Sequence, residues 1–209
     1  MLTIALSKGR LLEPTVDFLA GAGIVVPEDI LSSRRLIASD AENRYRFVLV
    51  KPVDLPTYVE YGIAVAGICE RDILLEVDPD LHQPLDLGFG RCTLVLAGRS
   101  GRPISPSNVL STARVATKYP RITERYFRSR GLPVEVVYLS GSMELAPNLG
   151  LAETIVDLVE TGRTLRENGL EIHERIAESS ARLVVNRAGF HVQHAEVQAL
   201  LRALRGVLE

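Results

Sequence analysis

The sequence predicts an α/β fold with mostly parallel sheets. Short apolar runs of strand length alternate with stretches whose apolar residues recur at helical spacing, and glycines and prolines mark the boundaries between them. Leu2 to Leu6 reads as a buried strand, Ser7-Lys8-Gly9-Arg10 as a loop, and Leu12, Val16, Leu19 and Ala20 as one face of a helix closed by Gly21 and Gly23. Phe47 to Val50 is a second apolar run, turned by Pro52 to Pro56 into a helix through Thr57 to Tyr61. Gly62 to Ile68 follows as a strand of small and β-branched residues.

Asp78 to Gly90 carries two prolines and two glycines and reads as connection, a candidate divide between two lobes. Beyond it, Thr93–Ala97, Val115–Thr117, Val134–Leu139, Thr154–Val159 and Ala181–Val185 read as strands, and Thr123 to Arg130 as a helix stopped by Gly131 and Pro133. Val197, Leu200, Leu201, Leu204 and Leu208 share one face of a closing amphipathic helix. The residues leave open whether that helix returns to the first lobe.

Composition narrows the function classes. The 209 residues hold 24 Lys and Arg against 26 Asp and Glu, a net charge of −2, which disfavours a bulk nucleic-acid or anionic-membrane binder. Hydrophobic residues make up 46%, and a chain this long buries roughly 70% of its unfolded surface, so a substantial core is expected rather than disorder. Cys69 and Cys92 are too few for a disulfide scaffold or a four-thiolate zinc site and read as core residues in a reducing compartment. His82, His173, His191 and His194 form no metal-ligand pattern, with His191 and His194 read as a surface pair. No apolar run reaches membrane-spanning length, and the N-terminal charges follow rather than precede the first apolar stretch, so a cytoplasmic location is expected.

The chemistry concentrates at Ile155 to Leu165. An apolar strand runs into Thr161-Gly162-Arg163-Thr164, followed by helix-compatible residues up to Asn168. Glycine lets backbone amides approach an anion, the threonine hydroxyls donate hydrogen bonds, and a helix start adds positive potential. Asp157 at the strand end is placed to accept hydrogen bonds from sugar hydroxyls. Four residues alone equally describe an ordinary strand–turn–helix junction capped by Thr161 or Thr164, and at that length the plain junction is the better reading. The pattern resembles the phosphoribosyl pyrophosphate loop of the common phosphoribosyltransferases, with Leu158 where a second acid is usual.

The longer context is more specific. Met143-Glu144-Leu145-Ala146-Pro147, Gly150-Leu151-Ala152, Ile155-Val156-Asp157-Leu158-Val159 and Thr161-Gly162-Arg163-Thr164-Leu165 resemble, in order and spacing, the signature of the ATP phosphoribosyltransferase family of histidine biosynthesis. Leu6 to Arg10, Val50 to Glu60 and Ala116 to Pro120 extend the resemblance over nearly the whole chain, and the length is similar to the family's short form. The sequence departs from the family at Lys51 (usually arginine), Val65 (usually an acid), Glu70 (usually glycine) and Glu153 (more often aspartate).

The resemblance implies a two-lobed fold like the type II periplasmic binding proteins, with a cleft between lobes. Lobe I would comprise 1–88 plus 186–209 and lobe II 89–185. It implies transfer of the phosphoribosyl group to N1 of ATP with release of pyrophosphate, and Mg²⁺ as cofactor. Glu144, Asp157, Val159, Glu160, Thr161, Gly162, Arg163 and Thr164 would bind phosphoribosyl pyrophosphate. Ser7, Lys8, Gly9, Arg10 and Glu70 would bind ATP, and Lys8, Arg10, Arg34 and Lys51 would be the catalytic cations, neutralising pyrophosphate or ATP phosphates. Lys51 makes a point contact where arginine makes a fork, and a carboxylate at Glu70 would repel phosphates. The family further implies a regulatory subunit similar to histidyl-tRNA synthetase, in a hetero-octamer. A non-enzymatic ligand sensor of the same architecture is the competing reading, because fold does not fix function. The intact Asp157–Leu165 block argues against it.

Overall fold

The structure, a computed structural model, describes residues 1–101 and 112–209. Two compact units divide these residues: Met1–Gly90 with Ser180–Glu209, and Arg91–Ser179.

The first unit is built from β1 (Leu2–Ser7), α1 (Leu12–Gly21), α2 (Glu28–Ser32), β2 (Ile37–Ser39), β3 (Tyr45–Val50), α3 (Leu55–Glu60), β4 (Ala66–Glu70), α4 (Arg71–Val77) and β5 (Leu81–Asp86). The second holds β6 (Cys92–Arg99), β7 (Ala113–Thr117), α5 (Pro120–Ser129), β8 (Val134–Tyr138), α6 (Leu145–Leu149), β9 (Thr154–Val159), α7 (Arg163–Glu167) and β10 (Leu170–Ser179). The chain then re-enters the first unit as β11 (Ala181–Asn186), α8 (Arg187–Val192) and α9 (His194–Leu208).

The first sheet has the order β2-β3-β1-β4-β11-β5. Only β3, β1 and β4 run parallel; β2, β11 and β5 pair antiparallel with their neighbours. The second sheet, β10-β6-β9-β7-β8, is parallel across β9, β7 and β8 and antiparallel across β10, β6 and β9. The sheets are therefore mixed, not mostly parallel as the element alternation suggested. One antiparallel strand, β11, follows β10 with only Ser180 between them and so enters its sheet without a crossover helix.

β11 corrects the sequence boundary at 185/186. Its residues hydrogen-bond to β4 through Ala181↔Glu70 and to β5 through Arg182↔Asp86, which places the strand in the first unit rather than with 89–185. α9 follows it there. Val197, Leu200, Leu201 and Leu204 are all buried and pack with Leu11, Leu19, Leu2, Ile4 and Phe47 in one core. On the opposite face α3 lies close to the sheet because residue 67 is glycine. A Cβ there would sit 2.8 Å from Leu55 and 2.9 Å from Val59.

The second core gathers Val95, Ala97, Ala116, Met143, Ala146, Ile155, Leu165 and Leu170, so α6 and α7 are anchored beside β9. Both cysteines are buried and free, matching their reading as core residues. No helix among the described residues is long and apolar enough to cross a membrane.

Candidate functional site

In an open α/β sheet, ligands bind beyond the carboxyl ends of the parallel strands, where the chain order switches direction. The first sheet switches at β1, flanked by β3 and β4. Its parallel strands end at Ser7, Val50 and Glu70, and most of the sequence-predicted residues of this unit cluster there.

Lys8 follows β1, and its backbone amide donates to Val50 O (2.9 Å), which fixes it beside Lys51 at the end of β3. Gly9 has φ +87°, a left-handed turn that brings Arg10 round to the head of α1. Lys8 is half-buried, while Arg10 and Lys51 are exposed. Arg34 and Arg35 precede β2, whose antiparallel register on β3, with Leu49 N donating to Leu36 O (2.8 Å), carries them toward the same end of β3. Arg35 is engaged by Asp29 at 3.0 Å, whereas Arg34 makes no ion pair among the described residues.

Glu70 is 6% exposed. The Ser7 hydroxyl lies 3.3 Å from both Glu70 Oε2 and Ile68 O, so the carboxyl sits behind Ser7. Burial pushes the Glu70 pKa up and the negative field of Asp72 adds to this, while its own amide, Arg10 and the Ser7 bond pull it down. The expectation of plain repulsion between Glu70 and phosphates is thus modified. The group is buried, drawn toward its neutral form and faced by a cation. Val65, another of the four departures, is a core residue packed against Gly189.

In the second unit the parallel pairing of β7 with β9 ends at Thr117 opposite Val156, and β9 runs on to Val159. Asp157 is half-buried on β9, and its Oδ1 accepts a hydrogen bond from Leu158 N (2.8 Å). Lys118 Nζ stands 3.7 Å from the same oxygen. Burial raises the Asp157 pKa, Lys118 and the Leu158 amide lower it, and Glu144 raises it. Glu144, half-buried ahead of α6, is therefore within electrostatic reach of Asp157.

The loop after β9 turns at Gly162 (φ 71°, ψ 10°), a left-handed conformation suited to glycine. Glu160, Thr161, Arg163 and Thr164 are exposed around it, and Val159 is half-buried. Arg163 N points at Thr161 Oγ1 (3.4 Å), while Arg166 Nη1 donates to Thr161 O (3.0 Å) and braces the turn. Arg163 itself turns back along α7 to Glu167 at 2.7 Å. α7 has only five residues, so the helix-dipole contribution expected from the sequence is small, which leaves the loop amides and hydroxyls as the groups able to meet an anion.

Two residues absent from the sequence-derived set sit in this cluster, Lys118 and Arg166. Lys118 was detectable as the cation that ends a strand parallel to the one carrying Asp157. Arg166 had no sequence signal, because its role is a bond to a backbone carbonyl. Among the described residues, no group of three or more His, Cys, Asp or Glu could hold a metal ion.

These features define a two-unit α/β protein whose loops at the carboxyl ends of its parallel strands carry cations, hydroxyls and left-handed glycine turns. Its fold is shared with the periplasmic aliphatic sulphonate binding protein of Escherichia coli (TM-score 0.59, 14% identity, 99% of this chain and 72% of that one). The family model described as ATP phosphoribosyltransferase matches residues 51–206. The chain is similar to ATP phosphoribosyltransferases of Syntrophotalea carbinolica (48% identity, 99% of this chain and 95% of the relative) and of Caldanaerobacter subterraneus subsp. tengcongensis (48%, 100% and 98%). Among solved structures it is similar to the ATP phosphoribosyl transferase (HisG:HisZ) complex from Thermotoga maritima, with TM-score 0.86 and 36% identity over 99% of this chain and 98% of that one. The chain belongs to the ATP phosphoribosyltransferase family, a family of transferases.

Proposed function

We propose that this chain transfers the phosphoribosyl group of phosphoribosyl pyrophosphate to N1 of ATP, with release of pyrophosphate, as the first step of histidine biosynthesis. The observation that carries this reading is the Asp157–Thr164 segment: a carboxylate at a strand end, followed by a left-handed glycine turn with two exposed threonines. Amides and hydroxyls of the turn suit a 5-phosphate, and an acceptor carboxylate suits ribose hydroxyls.

Breaking the bond at C1 of the ribose places positive charge on the sugar and negative charge on pyrophosphate. Stabilising that separation requires positioning and fixed charge rather than a nucleophile. Lys8, Arg10, Arg34 and Lys51 are the catalytic cations of this reading, neutralising pyrophosphate or ATP phosphates. Ser7, Gly9 and Glu70 complete the ATP-binding set. Glu144, Val159, Glu160 and Arg163 accompany Asp157, Thr161, Gly162 and Thr164 on the phosphoribosyl side.

The described residues offer no protein cage for Mg²⁺. Mg²⁺ would accompany the pyrophosphate substrate, where it would supply charge neutralisation. The likeness to a HisG:HisZ complex supports a HisZ-like partner; its regulatory role, its similarity to histidyl-tRNA synthetase, assembly as a hetero-octamer and a cytoplasmic location belong to the same proposal.

The test mixes the purified chain with ATP, phosphoribosyl pyrophosphate and Mg²⁺, with and without such a partner, and seeks phosphoribosyl-ATP by mass spectrometry. Product in either mixture supports the reading. Absence of product in both, together with no calorimetric binding of either substrate, overturns it.

A further inference from the structure

We propose that Lys118 is a positioning residue for the phosphoribosyl substrate, holding Asp157 as an oriented, ionised acceptor for the ribose hydroxyls. The inference rests on the assignment of Asp157 to that substrate given above.

The backbone on both sides of the lysine is pinned. The Thr117 hydroxyl, fully buried, donates to Val156 O (2.7 Å) on β9 and accepts from Tyr119 N (2.9 Å). Residue 118 is therefore held between Thr117 and Tyr119, one position beyond the Thr117↔Val156 pair, as Asp157 is on the neighbouring strand. Its ammonium also lies 5.0 Å from the centroid of the Tyr119 ring, itself 2% exposed, which limits the rotamers the side chain can take. From that position Nζ is 3.7 Å from Asp157 Oδ1.

The charge pattern around Asp157 makes this contact consequential. On the β6 side the facing residues, Leu94, Val95 and Leu96, are apolar and buried. Among the described residues, the charged side chains that reach Asp157 are Lys118, after β7, and Glu144, ahead of α6, and they oppose each other. Burial and Glu144 both favour the neutral acid, which accepts hydroxyl protons poorly, so Lys118 is the side chain that favours the ionised form. Lys118 and the Leu158 amide both engage Oδ1; among the described residues Oδ2 accepts no hydrogen bond. The lysine thereby orients the carboxylate while leaving its second oxygen for a ligand.

The experiment is calorimetric titration of the full-length chain with phosphoribosyl pyrophosphate and Mg²⁺, and separately with ATP, between pH 5 and 8. The proteins are wild type, Lys118→Met, Lys118→Gln, Lys118→Arg, Asp157→Asn and Asp157→Asn combined with Lys118→Met. Expected for both neutral substitutions is a loss of roughly three- to tenfold in phosphoribosyl pyrophosphate affinity at neutral pH. The acidic limb of binding shifts to higher pH, ATP affinity is unchanged, and arginine rescues most of the loss. On the Asp157→Asn background, Lys118→Met adds nothing.

An equal loss on that background overturns the proposal, because Lys118 would then be contacting substrate phosphates itself. An unmoved affinity and limb in both neutral variants also overturns it. If Asp157→Asn is impaired while those variants are not, the phosphoribosyl assignment stands and only the positioning role falls. If Asp157→Asn binds normally, both fall together.

Discussion

Replacing Gly162 by alanine tests the phosphoribosyl loop through one backbone angle. Gly162 holds φ 71°, and an added Cβ would lie 3.0 Å from Arg166 Nη1 and 3.7 Å from Val159 Cγ1. Arg166 Nη1 is the atom that braces Thr161 O at 3.0 Å, so the new methyl disturbs the turn in two ways. An L-residue in the left-handed region costs about 1–2 kcal/mol. If the loop keeps its shape only when ligand is bound, that cost appears as a weakening of about 5- to 30-fold in phosphoribosyl pyrophosphate binding. The Arg166 end can swing away, so the steric part adds little. Asparagine tolerates the left-handed region better, so Gly162→Asn should lose less than Gly162→Ala. The assay is initial-rate kinetics of the active enzyme with each substrate varied, backed by thermal unfolding of each variant. Equal increases in the constants for both substrates, or none for phosphoribosyl pyrophosphate, would refute the assignment of this turn.

Two further predictions concern the first unit. Asn186 caps α8 by accepting from Gly189 N (2.7 Å), and its Nδ2 donates to Val59 O and Glu60 O (2.9 Å each). Asn186→Ala should cost about 2–4 kcal/mol, from a lost cap and stranded carbonyls, and Asn186→Asp should recover only the cap, both read by urea unfolding. Equal stabilities for the two variants would remove the role given to the Nδ2 bonds. Glu70, whose folded pKa is raised chiefly by burial, binds a proton more tightly folded than unfolded. Stability should therefore fall as pH rises from the unfolded glutamate pKa through the folded one, with a slope of at most ~1.4 kcal/mol per pH unit from this group. Glu70→Gln should remove that slope. Parallel stability–pH curves for the two proteins would show that Glu70 titrates as in the unfolded chain.

Much of the architecture was legible because buried central strands need continuous apolar runs. β1, β3, β4, β6, β7, β9 and β11 all appear in the sequence as such runs, some with ends displaced by a few residues. The strands that were not legible, β2, β5 and β10, are all sheet edges. β5 contains Pro84, which an edge tolerates, and β10 carries two register irregularities that break its alternation. An edge strand takes its conformation from one neighbour, so its own residues need not announce it.

By itself the sequence determined the family and the local turn that groups the polar residues of the loop after β9. Asp157, Thr161, Gly162 and Thr164 lie in one short segment, 157–164, and a local turn places them whatever the distant packing. Only the tertiary structure decided which groups act on the loops. Lys118 meets Asp157 from 39 positions away because β7 and β9 pair in parallel up to Thr117 and Val156, and Ser7 shields Glu70 across 63 positions because β1 and β4 pair in parallel up to Leu6 and Ile68. The placement of β11 beside β4 and β5 was likewise decided by hydrogen bonds between strands distant in sequence. Local backbone preference is written in adjacent residues, whereas burial, ion pairing and strand partnership arise from the free energy of the assembled core.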